Sequence, residues 1–218
     1  MKRINFLGLT LLLAGFALSG CKKVFDIKPQ DQLDVTNAYQ NVYDADAAVV
    51  GIYGKFMALA DRYVILNELR GDLLNYTSNA DEALREISTH TVKAGNPYAN
   101  PRPFYELIIN CNDALEHFQV MVKDKRMTDD EFRQRYSDIG ALRSFLFLQL
   151  GIHFGTIPYV TNPVVQLSKL KDSANFPQIT LPVLIDSLVS FTEKLPFTDD
   201  YPAGTTLLTT VDGYSTQK

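Results

Sequence analysis

Between Thr128 and Pro158 the chain carries a periodicity that only a long helix satisfies. Phe132, Tyr136, Ile139, Leu142, Leu146, Leu150 and His153 recur at steps of three and four, and Ala141, Phe145, Leu148 and Ile152 trace a second stripe. The start is marked by Thr128-Asp129-Asp130-Glu131: a threonine that can cap, a glutamate three residues on that can return the bond, and acids that complement the positive end of the helix dipole. Gly155 and Pro158 mark the stop. A helix with two apolar stripes needs neighbours on two sides, so the chain is predicted to be mainly α, built of helices packed on helices.

The remaining helices are read from the same signals. Thr36 and Asp44 are N-cap types, and Ala48, Ile52, Phe56 and Leu59 predict an amphipathic helix of about four turns after Asp44, despite Gly51 and Gly54. A second helix is expected over Tyr63–Leu74, with Val64, Leu66, Leu69, Leu73 and Leu74 apolar. The polar, Pro- and Gly-containing residues 75–101 read as a long surface loop. A third helix is expected from Pro103, well placed in a first turn, to about Val122, with Leu107, Ile108, Cys111, Leu115 and Phe118 inward. Thr180 caps a last one, Leu181–Lys194, carrying Leu184, Leu188 and Phe191 on one face and ended by Pro196. Beyond it lie Thr/Leu-rich residues 205–211, a turn at Asp212-Gly213, and Ser215 or Thr216 as a cap with no helix behind it, which leads us to expect a fragment of a longer chain.

The N-terminus is of another kind. Lys2 and Arg3 precede an apolar run from Phe6 to Leu18, closed by Ser19-Gly20-Cys21. The run is short of the roughly 20 apolar residues of a spanning helix, and its small-residue end suits signal-peptide cleavage. A cysteine directly after Gly20 reads as a bacterial lipoprotein signal, in which residues 1–20 are expected to be removed and Cys21 to be the lipid attachment site; a plain secretory signal with a chance cysteine is the alternative. Two or three acyl chains, each buried methylene contributing roughly 0.8 kcal/mol, make such an anchor effectively permanent. Residues 21–35, charged and broken by Pro29, read as the tether, leaving 36–218 as the helical domain.

Composition narrows the partners. Residues 1–20 contain Lys2 and Arg3 but no acid, so the rest holds 19 basic against 25 acidic residues, a net charge of about −6 without a Lys/Arg cluster. Nucleic acid is therefore not expected as a partner. With Cys21 committed to lipid, Cys111 has no intrachain disulfide partner and reads as a buried thiol in an apolar helix.

The chemistry-bearing signatures GxxxxGK[ST], GxGxxG, HExxH, GxSxG and CxxC do not occur in the 218 residues. His90, His117 and His153 stand far apart, so no metal site is expected, and His153 reads as a hydrogen-bonded core residue. Asp129, Asp130 and Glu131 read as helix-start acids rather than a glycosidase pair. We therefore expect no catalytic residues and no cofactor. Tyr76, Tyr98, Tyr159, Tyr201 and Tyr214 sit in loop-like surroundings where an aromatic face could meet a sugar ring.

In order along the chain, these signals resemble the SusD/RagB family of nutrient-uptake lipoproteins. Phe25-Asp26-Ile27-Lys28-Pro29 is similar to the aromatic-Asp-Pro element that follows the lipidated cysteine there; Gly51-Ile52-Tyr53 and Arg70-Gly71-Asp72 resemble its Gly-x-Tyr helix and following Gly-Asp. Tyr105, Ile108, Asn112 and Leu115 fit its Tyr-x-x-Ile-x-x-x-Asn-x-x-Leu helix. The most specific match runs from Ala141-Leu142-Arg143-Ser144-Phe145 to Gly155-Thr156-Ile157-Pro158. Leu184–Pro196 and Gly213–Lys218 resemble the helix ending in Leu-Pro and the start of the next. Gly140 and Gly151 depart from the pattern and are expected to loosen the longest helix, and Lys22-Lys23 replaces the acids that often favour surface export.

The resemblance implies tetratricopeptide-like antiparallel helix pairs with long irregular loops. It implies a non-enzymatic protein anchored in the outer membrane, facing the cell exterior, that captures oligosaccharide or peptide nutrients as the lid of a SusC-like TonB-dependent transporter. No ligand-binding residue is carried over from it. A lipoprotein enzyme, such as a glycosidase with its catalytic part beyond Lys218, and a structural helical adaptor are the rival readings.

Overall fold

A computed structural model describes residues 38–163 and 173–196; Cys21, the signal and tether, Thr36, and the turn and cap expected beyond residue 196 lie outside them. The described chain is mainly helical: α1 (Val42–Met57), α2 (Ala60–Val64) running into a π-helical turn (Ile65–Leu69), α3 (Glu82–Ser88), α4 (Arg102–Lys123), α5 (Asp129–Phe154) and α6 (Leu181–Thr192). A two-residue ladder joins β1 (Ile157–Pro158) to β2 (Gln178–Ile179) in antiparallel register, Ile157 opposite Ile179. No described helix is long and apolar enough to cross a membrane.

The helix starts follow their caps. Thr128 and Glu131 form the expected reciprocal box at α5, the Thr128 amide donating to Glu131 Oε2 over 2.8 Å. These hydrogen bonds hold the Glu131 carboxyl below its usual range. At α1 the expectation needs correcting: Asn41 is the cap, accepting from the amides of Tyr43 and Asp44, and Asp44 is the third helical residue that closes the box.

The second helix is shorter than expected. It ends at Leu69, and Leu73 and Leu74 are exposed. Gly71 is the reason: a Cβ there would lie 2.6 Å from the carbonyl oxygen of Asn67, so only glycine fits, and Asp72 then turns through a positive φ of 60°. Residues 75–101 are not all loop, since α3 lies within them. Asp81 caps it through the Leu84 amide at 2.8 Å, and Ile87 is buried beneath. The buried Asn96 side chain ties the following chain back to α3, donating to the Ala83 carbonyl at 2.9 Å and to Glu86 Oε2 at 3.0 Å. Asn96 and then Lys93, 3.0 Å from Glu86, hold the Glu86 carboxyl below its usual range.

Helix α5 sits between neighbours. Against α4 it runs antiparallel, because Gln119 meets Tyr136 while Asn112 meets Arg143. The fully buried Phe104, Leu107, Ile108, Cys111 and Phe118 of α4 and Ile139, Leu146, Phe147 and Leu150 of α5 make the centre of the core. Burial pushes the Cys111 thiol up to about 12, as expected of an inert packing group. Helix α1 packs on both, with Phe56 edge-on to Phe145 at 5.9 Å, and the chain entering it is held by Tyr39 stacked on His117 at 4.2 Å.

The second buried side of α5 is not the predicted one. Ala141 and Ile152 are exposed, Leu148 is half-buried against the core and Phe145 packs its ring on Phe56 and Tyr63; the points that meet the α6 segment are Gly140 and Gly151. The two glycines expected to loosen this helix are instead the notches into which α6 fits. A Cβ on Gly151 would come within 2.5 Å of Leu184 Cδ2, and one on Gly140 within 2.6 Å of Leu195 Cδ2. These contacts also show that α6 is antiparallel to α5.

Four substitutions test this packing. Leu146→Ala should cost about 2–5 kcal/mol in chemical denaturation, against at most about 0.5 kcal/mol for Gln134→Ala on the exposed side. Gly151→Val should cost about 1–3 kcal/mol by overfilling the notch. Gly54→Ala, in open space on α1, should gain about 0.5–1 kcal/mol from helix propensity; equal effects at the two glycines would contradict the notch.

Candidate functional site

Bordered by α4, α5 and α6, an open cleft of about 820 Å³ forms, with the chain leaving β1 along one side. Helix α4 contributes Asn112 and Gln119, α5 contributes Tyr136 and Arg143, the outgoing chain Tyr159 and Thr161, α6 Ser187, Ser190 and Phe191, and the turn after it Lys194. The volume lies within the range of small-molecule sites, and the walls alternate rings with amides and hydroxyls.

The floor is set by Arg143, which is 6 % exposed. One terminal guanidinium nitrogen donates to Asn112 Oδ1 at 2.9 Å and to the Thr161 carbonyl at 3.2 Å. The plane lies over the Phe191 ring, 4.3 Å from its centroid. Asn112, itself 2 % exposed, uses its amide nitrogen to hold the Val160 carbonyl at 2.8 Å. Tyr105 does the same about two turns away, its hydroxyl donating to the Pro158 carbonyl at 2.9 Å. The irregular segment 157–161 is thus fastened to α4 and α5 by side chains that satisfy its backbone carbonyls. Burial lowers the Arg143 pKa from its ordinary value, yet a guanidinium stays charged at any physiological pH.

The sequence-selected residues fall in different places. Tyr159 lines the cleft, its ring packed against Phe147 at 4.8 Å. Tyr98 is held by Asp81 through its hydroxyl at 3.2 Å, and Tyr76 lies beneath the Arg85 guanidinium, so neither reaches the cleft. Tyr201 and Tyr214 lie outside the described residues. Asp129, Asp130 and Glu131 serve the start of α5. The residues missed were Tyr136, assigned to the core, and Arg143, noted only as part of a motif; a basic residue amid Leu142, Leu146 and Phe147 was the available signal.

His153 belongs to a smaller cleft of about 450 Å³ beside Arg70, His90 and Lys93. Arg70 can only donate, so His153 Nδ1 accepts its bond at 3.2 Å and the proton sits on Nε2, 3.1 Å from Gln149 Oε1. Asn67 donates to the same Gln149 oxygen at 3.0 Å, joining the π-helical turn to α5. Burial, and then the Arg70 charge, depress the His153 pKa to about 4. The hydrogen-bonded histidine expected from sequence is present, half-buried and neutral.

Two outcomes follow from these bonds. Asn112→Ala strands the Val160 carbonyl and removes an Arg143 acceptor, and should cost about 1–3 kcal/mol for each group left unsatisfied, read by urea denaturation. His153 is neutral in the fold down to pH near 4 but protonates below about 6.5 when unfolded. Its contribution is therefore complete above 6.5 and lost as pH falls toward 4. Thermal melts should show a larger drop from pH 7 to pH 5 for the native chain than for His153→Gln.

Compared with family models, with curated proteins and with solved structures, the chain has no match in any of the three.

Proposed function

We propose that this chain is a lipid-anchored outer-membrane protein that captures oligosaccharide or peptide nutrients, as the lid subunit of a SusC-like TonB-dependent transporter. It binds without turnover, through helix pairs of tetratricopeptide type. Two lines support this reading. The Leu18–Cys21 lipobox and the ordered SusD/RagB-like motifs behind it carry the anchor and the partner. The observation that carries the ligand is the composition of the large cleft. Tyr136 and Tyr159 offer ring faces among Asn112, Gln119, Ser187 and Ser190, the mixture of apolar plate and hydrogen-bonding groups that sugar rings require.

The anchor is tested in the native host. Cys21→Ala should leave unprocessed precursor and abolish outer-membrane retention, whereas mass spectrometry of an unmodified mature N-terminus at another residue would refute it. The ligand is tested on a glycan array with the full-length protein. Tyr159→Ala should weaken binding by about 1–3 kcal/mol, the value of one lost aromatic stacking contact, with no product released by the native protein. Glycan cleavage abolished by a point change in residues 22–218 would sink the binding-only reading.

A further inference from the structure

Arg143 is a cation on the cleft wall whose every described partner is neutral. Asn112 Oδ1, the Thr161 carbonyl and the Phe191 ring supply dipoles and a π face, none of which cancels a full charge. Among the described residues no carboxylate pairs with it, although Arg102, Arg126 and Arg135 each have one. A desolvated charge without a counter-ion is costly, and the usual remedy, an acid on the facing helix, is missing where α6 presents Ser187, Ser190 and Phe191.

The geometry of the fork agrees. Both hydrogen bonds from Arg143 use the same terminal nitrogen. The edge formed by Nε and the other terminal nitrogen carries no hydrogen bond to a described residue, and neither atom is sealed from solvent. That edge matches two carboxylate oxygens. The other ionisable groups on the wall are Lys194, Glu116, Tyr136 and Tyr159. Lys194 and Glu116 are exposed at the rim, where solvent screens both, so the floor remains positive in a chain whose overall net charge is −4.

We propose that the cleft takes an acidic saccharide of the uronic-acid class, its carboxylate paired with the free edge of Arg143 and its ring set against Tyr136 and Tyr159. This rests on the reading of the cleft as a saccharide site and adds the charge of the ligand. Lys194 supplies a second, weaker attraction at the mouth.

The test uses calorimetry on the full-length protein with uronate oligomers (galacturonate, glucuronate, mannuronate) and the methyl ester of each, which keeps the sugar and removes the charge. At least one acid form should bind about tenfold or more tighter than its ester, and should weaken as sodium chloride rises. Arg143→Gln should erase that preference. Because Arg143 also fastens the fold, its melt is recorded alongside, and Lys194→Ala is the second variant, expected to lower acid affinity severalfold without moving the melt. Equal binding of acid and ester, or binding only of neutral glycans, overturns the acidic ligand and leaves the capture function standing. No glycan binding at all overturns both.

Discussion

The described structure depends on the approach of α6 to α5. Two missing side chains allow it: at Gly140 and Gly151 the surface of α5 is backbone, and Leu184, Leu181 and Leu195 of the facing segment occupy the space. Close packing of this kind contributes dispersion contacts that a looser seam would lose. It also fixes how far the two helices can part, and so where the large cleft begins. Arg143 stands between the two notches on the same helix, with the Phe191 ring of α6 laid over it.

On the opposite side α5 is held by a different means. Its contacts with α4 combine a dry core of Leu, Ile and Phe with one buried polar pair, Asn112 and Arg143. That pair does not stop at the helix interface. Through the Val160 and Thr161 carbonyls it reaches the chain that leaves β1, which has no ladder partner at those residues. A polar network that meets all its obligations specifies one arrangement where an apolar seam would tolerate slippage. The cleft wall is therefore built from backbone whose position is set by side chains of two helices.

How much of this could be read in the sequence depended on whether the signal was apolar and local. The α5 capping box, Pro103 early in α4, and the inward set Leu107, Ile108, Cys111, Leu115 and Phe118 were legible because each lies within one or two turns. The α6 face of α5 was not, because Gly140 and Gly151 contribute to packing by being small and leave no trace in a hydrophobic pattern. Helix α3 escaped because it has seven residues and its stabilising partners, Asn96 and Lys93, are polar and lie beyond it. The cleft escaped for a related reason. Its residues come from α4, α5, the outgoing chain and α6, and only Tyr159 stood out alone.

The spacing of these contacts along the chain bears on the order in which they form. Helices α4 and α5 are joined by five residues, Asp124–Thr128, with Lys125 in a left-handed turn, so their pairing closes a short loop and pays little chain entropy. Helix α1 must come from far away: the bond from Arg126 to the Tyr39 carbonyl spans 87 residues and that from Arg135 to Asp46 spans 89. The α4–α5 hairpin is thus the natural nucleus, a platform already formed when α1 arrives from one end of the sequence and α6 from the other. Synthesis releases α1 first, so α1 must wait, with Ile52 and Phe56 uncovered, until its platform has followed it off the ribosome.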